Sequence, residues 1–143
     1  MKVLVIEDGY EYVETLRRFL PEPDWVRAGS GPEGLAALDG GDFDAVFLDM
    51  RFDRVDDDAL LGDLAAAADR FNGDPVQARA FLQDHQGLHI LAALRAAGHT
   101  LPVVISYDFG GEPRRWARLA ATHGPVAYLD DVAGPDAVRA AFA

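Results

Sequence analysis

Several side chains able to bind a cation or a phosphate-like group stand directly after short apolar runs. Val3-Leu4-Val5-Ile6 leads into Glu7 and Asp8, Ala45-Val46-Phe47-Leu48 into Asp49, Val103-Val104-Ile105 into Ser106, and the run Val126-Ala127-Tyr128-Leu129 is closely followed by Asp131. If these runs are adjacent strands, three acids meet at neighbouring strand ends. Like charges about 4 Å apart repel by about 4 kcal/mol at an effective dielectric near 20, so such a group must take up protons, separate or bind a cation. Oxygen ligands with room for water suit Mg²⁺. The plainer alternative is that each acid only forms a turn or caps a helix. With no cysteine in the chain, thiolate nucleophiles and thiolate metal sites are excluded.

The elements that must position these residues follow from hydrophobic periodicity. The run at 2–6 reads as a buried strand, and Tyr12, Val13, Leu16, Phe19 and Leu20 mark a helix over 10–20 that Pro21 and Pro23 stop. A short strand over 25–28 precedes a helix that Gly31-Pro32-Glu33-Gly34 opens and Gly40-Gly41 ends. The strand at 45–48 ends in Asp49. A helix over 85–97, a strand at 103–105, a helix over 113–122, a strand at 126–129 and a final helix over 135–142 complete five strand–helix alternations. Strands apolar on both faces, alternating with helices, predict a doubly wound parallel sheet with helices on each side.

Residues 51–84 are too many for a βα loop, which usually spans about 2–6 residues. Leu60, Leu61, Leu64 and Ala68 predict one helix over 58–70, and Asp74-Pro75 followed by Val76, Ala80, Phe81 and Leu82 predicts a second. The expectation is a helical pair inserted at 52–85 within a single domain covering 1–143.

Val3-Leu4-Val5-Ile6-Glu7-Asp8, Ala45-Val46-Phe47-Leu48-Asp49-Met50, Val104-Ile105-Ser106 and Ala127-Tyr128-Leu129, in this order, resemble a response-regulator receiver domain across nearly the whole chain outside the insert. The resemblance implies the flavodoxin-like strand order 2-1-3-4-5. It implies that Asp49 accepts a phosphoryl group, and that Glu7, Asp8, Asp49 and the Arg51 backbone carbonyl hold Mg²⁺. It also implies that Ser106 bonds the phosphoryl oxygens and that Tyr128 is the aromatic that follows Ser106 in the switch. A histidine kinase or phosphotransfer protein would be the donor. Output would pass to a downstream protein or a second copy, through strand five with its flanking helices or through the insert.

The chain departs from that pattern at three places. The receiver lysine three residues after the aromatic is Asp131 here, and Lys2, at the far end of the first strand, is the only lysine. Arg51 and Arg54 are the nearby cations that compensate. Tyr107 stands where receivers have a small residue, and the insert begins at the loop framing Asp49. Asp56-Asp57-Asp58 reads as a solvated acidic turn with a helix cap, His85 and His89 as polar-face residues rather than a zinc pair, and Trp116 and Phe81 as core aromatics.

The remaining limits are compositional. At 143 residues, half of them apolar, the chain makes one compact domain. Thirteen basic against twenty-four acidic residues give a net charge of −11, which disfavours nucleic acid and anionic membrane as partners. No apolar run nears the roughly 20 residues of a membrane span, and Met1-Lys2 enters the first strand with no cleavable signal, so the cytoplasm is expected. The reading is a stand-alone receiver-like signalling module that is atypical or independent of phosphorylation. Its chemistry would be limited at most to self-phosphorylation and autodephosphorylation at Asp49. The alternative is a Mg²⁺-dependent phosphohydrolase or phosphotransferase acting on a small phosphate ester, with the insert as lid.

Overall fold

The computed structural model describes residues 1–130 and 132–143. Five parallel strands, β1 (Lys2–Ile6), β2 (Asp24–Ala28), β3 (Ala45–Asp49), β4 (Val103–Ser106) and β5 (Val126–Leu129), form one sheet in the order β2-β1-β3-β4-β5. The predicted doubly wound architecture is therefore the observed one.

Alternation along each strand gives the sheet two apolar faces. Leu4, Ile6, Val46, Leu48, Val103 and Ile105 pack on one side against α2 (Gly31–Gly40), α5 (Gln86–Ala96) and α6 (Pro113–His123). Val3, Val5, Ala45 and Phe47 pack on the other against α1 (Glu11–Phe19) and α7 (Pro135–Ala141). Local signals mark the starts of α2 and α1. Ser30 accepts from Glu33 N while Glu33 Oε2 accepts from Gly29 N, a reciprocal arrangement that fixes α2. In α1, Glu11 and Glu14 in the first turn and Arg17 and Arg18 in the last complement the helix dipole.

The segment between β3 and α5 contains a 3-10 turn at Asp57–Ala59, then α3 (Leu64–Arg70) and α4 (Pro75–Asp84). The single helix expected over 58–70 is broken. Gly62 takes φ +110, a left-handed conformation that suits glycine, and Asp63 then caps α3 by accepting from Ala66 N. Leu60 and Leu61 consequently pack on the main core rather than sharing a stripe with Leu64. Asp74 caps α4 as its sequence predicts, accepting from Val76 and Gln77 N.

This segment is firmly anchored. Phe52 is fully buried and its N–H donates to Gln83 O. The buried Gln86 amide accepts from Leu61 N at 2.7 Å and donates to Leu61 O and Leu82 O. α5 approaches β3 so closely that a Cβ on Gly87 would lie 2.5 Å from the Asp49 carbonyl oxygen. Small satellite packing of Ala67, Ala78 and Leu82, with Phe71 and Phe81 against them, ties α3 to α4.

Candidate functional site

The register sets three of the expected site residues in a row. Ile6 pairs with Leu48 and Asp49 with Ser106, so Glu7, Asp49 and Ser106 sit on adjacent strands at the carboxyl edge of the sheet. In doubly wound sheets this edge is where ligands bind.

Glu7 is 1% exposed, and its carboxylate serves α1. Oε1 accepts from Tyr12 N at 3.1 Å and Oε2 from Val13 N at 2.8 Å. Tyr10, at the cap position, gives no side-chain cap, so Glu7 satisfies helix donors from outside the helix. Burial raises its carboxyl above the ordinary range, and those two N–H groups oppose the rise.

Asp8 is turned toward the loop that follows β3. Its Oδ2 accepts from both Asp53 N and Arg54 N at 3.0 Å, and Arg54 Nε lies 3.9 Å away. The Asp8 side chain is 5% exposed. Arg54 is also anchored by Glu11 Oε1, 2.8 Å from Nη2. That pair raises the Arg54 guanidinium, while the backbone N–H of Glu11 itself, followed by the bond to Arg54, lowers the Glu11 carboxyl. Beneath the loop, Arg27 donates to the carbonyls of Gly9 and Asp8 and lies over the Tyr10 ring.

Asp49 Oδ1 accepts from Met50 N at 2.8 Å. Its carboxyl is pushed up to about 7, chiefly by burial and further by the Asp8 and Glu7 carboxylates, against the backbone N–H groups of Met50 and Arg51. Of the two arginines expected to compensate, Arg54 stands over Asp8, whereas Arg51 pairs with Asp84 at 3.1 Å on the surface.

Ser106 donates to the Tyr12 hydroxyl at 2.9 Å, and the Tyr12 ring packs 5.2 Å from that of Phe47. A cavity of about 210 Å³, lined in part by Glu11, Thr15, Leu129 and Asp130, opens beside this pair. Tyr128 follows the opposite alternation, pairing with Ile105, and stacks edge-on with Trp116 at 4.7 Å and Phe109 at 5.4 Å. Tyr107 joins the same aromatic group through Phe109 and donates its hydroxyl to Glu112 Oε2. With Met50, Arg51, Asp84, His85 and Arg115 it lines a separate cleft of about 410 Å³. Asp131 lies outside the described residues.

The minor candidates have local roles. Asp57 pairs with Arg79 at 2.7 Å, while the 3-10 turn that holds Asp57 and Asp58 has no side-chain cap. His85 stands at the junction of α4 and α5 rather than within one helix with His89, and its Nδ1 is 2.9 Å from Phe81 O. Trp116 and Phe81 are half-buried, each packed on an apolar cluster.

Mg²⁺ at these residues would compete with bonds that the fold already makes, and Asp8, Asp49 and the Arg51 carbonyl are the groups that would hold it. Both Glu7 oxygens are bonded to α1, one Asp8 oxygen is bonded to the loop, and among the described residues no three Asp, Glu or His side chains converge as a metal cage. Sequence spacing brought the carboxylates to one edge but did not reveal where they point. It also missed Tyr12 and Gln86, whose one available signal was their place beside the first strand–helix turn and at the start of α5.

No protein-family model matches the chain, and no curated protein sequence matches it. Solved structures do, and they are mostly response-regulator receiver domains covering nearly the whole chain. The receiver domain of the Francisella response regulator 1452 is 15% identical with a TM-score of 0.61, over 99% of this chain and 95% of that one. A two-component response regulator from Clostridium difficile is 16% identical with a TM-score of 0.64, over 98% and 90%. A structure named as an adenylate cyclase from Rhodopirellula baltica is 19% identical with a TM-score of 0.65, over 99% and 83%. The likeness establishes the receiver fold. Among the described residues no helix is long and apolar enough to cross a membrane.

Proposed function

We propose that this receiver-fold chain is a signalling module of two-component type that acts by protein contact, with Asp49 at the acceptor position of an atypical site. The observation that carries the reading is the row Glu7, Asp49 and Ser106 at the carboxyl edge, with Asp49 raised to about 7 in a buried acidic setting. A carboxylate raised in this way is a better nucleophile when ionised but is ionised in a smaller fraction of molecules near neutrality. The positive charge beside Asp8 comes from Arg54.

In the transfer this site would support, an ionised Asp49 oxygen attacks the phosphorus of a phosphohistidine or phosphoramidate. The P–N bond breaks, the leaving nitrogen takes a proton from water, and Ser106 is the near hydroxyl donor for the phosphoryl oxygens. A kinase or phosphotransfer protein is the proposed donor. The proposed output face is β5 with α6 and α7, or the inserted segment. Arg114 and Arg118 are exposed on α6, a helix without an acidic residue, which suits an acidic partner.

The anchoring of the insert by Phe52 and Gln86 argues against a mobile lid over a phosphate ester. The test is intact-mass analysis after incubation with phosphoramidate and Mg²⁺. We expect slow, incomplete gain of one phosphoryl group that Asp49→Asn abolishes. Labelling that survives Asp49→Asn, or steady turnover of a phosphate-ester panel, would overturn the reading.

A further inference from the structure

The loop after β3 closes on Asp8 through both backbone and side-chain groups. Two successive backbone N–H groups, from Asp53 and Arg54, converge on one oxygen of Asp8, and the Arg54 guanidinium stands over the same oxygen. Glu11, at the start of α1, holds the far end of that guanidinium. The result bridges β1, the β3 loop and α1. It leaves the Asp8 side chain almost completely covered although it lies at the open edge of the sheet.

We infer that the Asp53–Arg54 turn, with its guanidinium, is the resident positive partner of this acidic site, and that it competes with a divalent cation for Asp8. A cation entering the site would need the Asp8 oxygen that now accepts two amides, and its charge would be set against that of Arg54. Removing the guanidinium takes away both the repulsion and one anchor of the turn. Retaining a positive charge of different shape keeps the repulsion but not the planar fork that reaches Glu11. The competition rests on the receiver-like reading for its meaning in signalling, but not for its measurement.

The experiment is calorimetric titration of the full metal-free chain with MgCl₂ at fixed ionic strength, followed in parallel by amide NMR. Wild type, Arg54→Ala, Arg54→Lys and the double variant Arg54→Ala, Asp8→Asn are compared. Arg54→Ala is expected to bind Mg²⁺ about tenfold more tightly than wild type, with shifts at Asp8, Asp49 and residues 53–54. Arg54→Lys should fall nearer wild type, and the double variant should lose the gain. Arg54 is 57% exposed in its side chain, so the single variants are expected to fold, with wild-type amide dispersion as the check. Equal affinity in wild type and Arg54→Ala would overturn the inference, as would a gain that persists without the Asp8 carboxylate. The titration can fail while phosphoramidate still labels Asp49, and it can succeed where no label forms, so the two readings are separable.

Discussion

Asp49 and Glu7 are buried carboxylates at adjacent strand ends, yet they solve the desolvation problem differently. Glu7 is compensated by two backbone N–H groups and doubles as the outside cap of α1. Glu7→Ala would strand both donors and is expected to lower stability by about 2–3 kcal/mol in urea unfolding. Asp49 is less well compensated, and its carboxyl rises to about 7. Between about pH 4 and that value, the folded chain holds a proton that the unfolded chain has released. The contribution of Asp49 to stability is therefore greatest in acid and falls as pH rises. In metal-free buffer, Asp49→Asn should stabilise the fold by about 1–3 kcal/mol at about pH 8 and have much less effect at about pH 4. A thermal unfolding series across pH measures this directly, and an equal effect at both ends would contradict it. The row itself was legible in the sequence because each member follows an apolar strand. The direction of the carboxylates was not, because a side chain at a strand end turns toward whichever donors the next loop supplies.

At the scale of elements, the segment between β3 and α5 is held to the sheet by a few specific groups. Gln86 makes three bonds from a fully buried amide, two of them to Leu61. Gln86→Ala is expected to cost about 2–3 kcal/mol and to speed amide hydrogen exchange over 52–63 more than in β1 or β3. Uniform exchange across the chain would show that the clasp does not anchor the segment. Gly87→Ala sets a methyl against the Asp49 carbonyl and should shift the amide resonances of residues 49–51 while lowering the melting temperature. Two helices in the segment could be read from Asp74-Pro75 and the leucine spacing, but the first was expected six residues too early. Helical periodicity in Leu60, Leu61 and Leu64 is also satisfied when the first two enter the main core in extended backbone, and the left-handed Gly62 allows that change of direction. Spacing alone sets His85 and His89 on one helix for the same reason, since it does not reveal the break between α4 and α5.

For the molecule as a whole, strand–helix alternation and strands apolar on both faces were sufficient for the parallel sheet and its two-sided core, while the strand order came from the resemblance to receiver domains. Those features are set by burial over many residues, so single departures such as Tyr107 do not disturb them. The closed acidic site depends instead on one arginine and one turn, which no periodicity encodes. With a net charge of −11, the chain places one of its thirteen basic residues between Asp8 and Glu11 at the sheet edge. The account makes Asp49 the centre of a receiver-like response restrained by that arginine. Its most direct test is an amide NMR titration with beryllofluoride, which stands in for a phosphoryl group, in the presence of Mg²⁺. We predict that Arg54→Ala shifts at Asp8, Asp49 and Ser106 and onward to Tyr128 and α6, that wild type responds only at about tenfold higher concentration, and that Asp49→Asn does not respond. No shift in Arg54→Ala, or shifts that survive Asp49→Asn, would contradict the account.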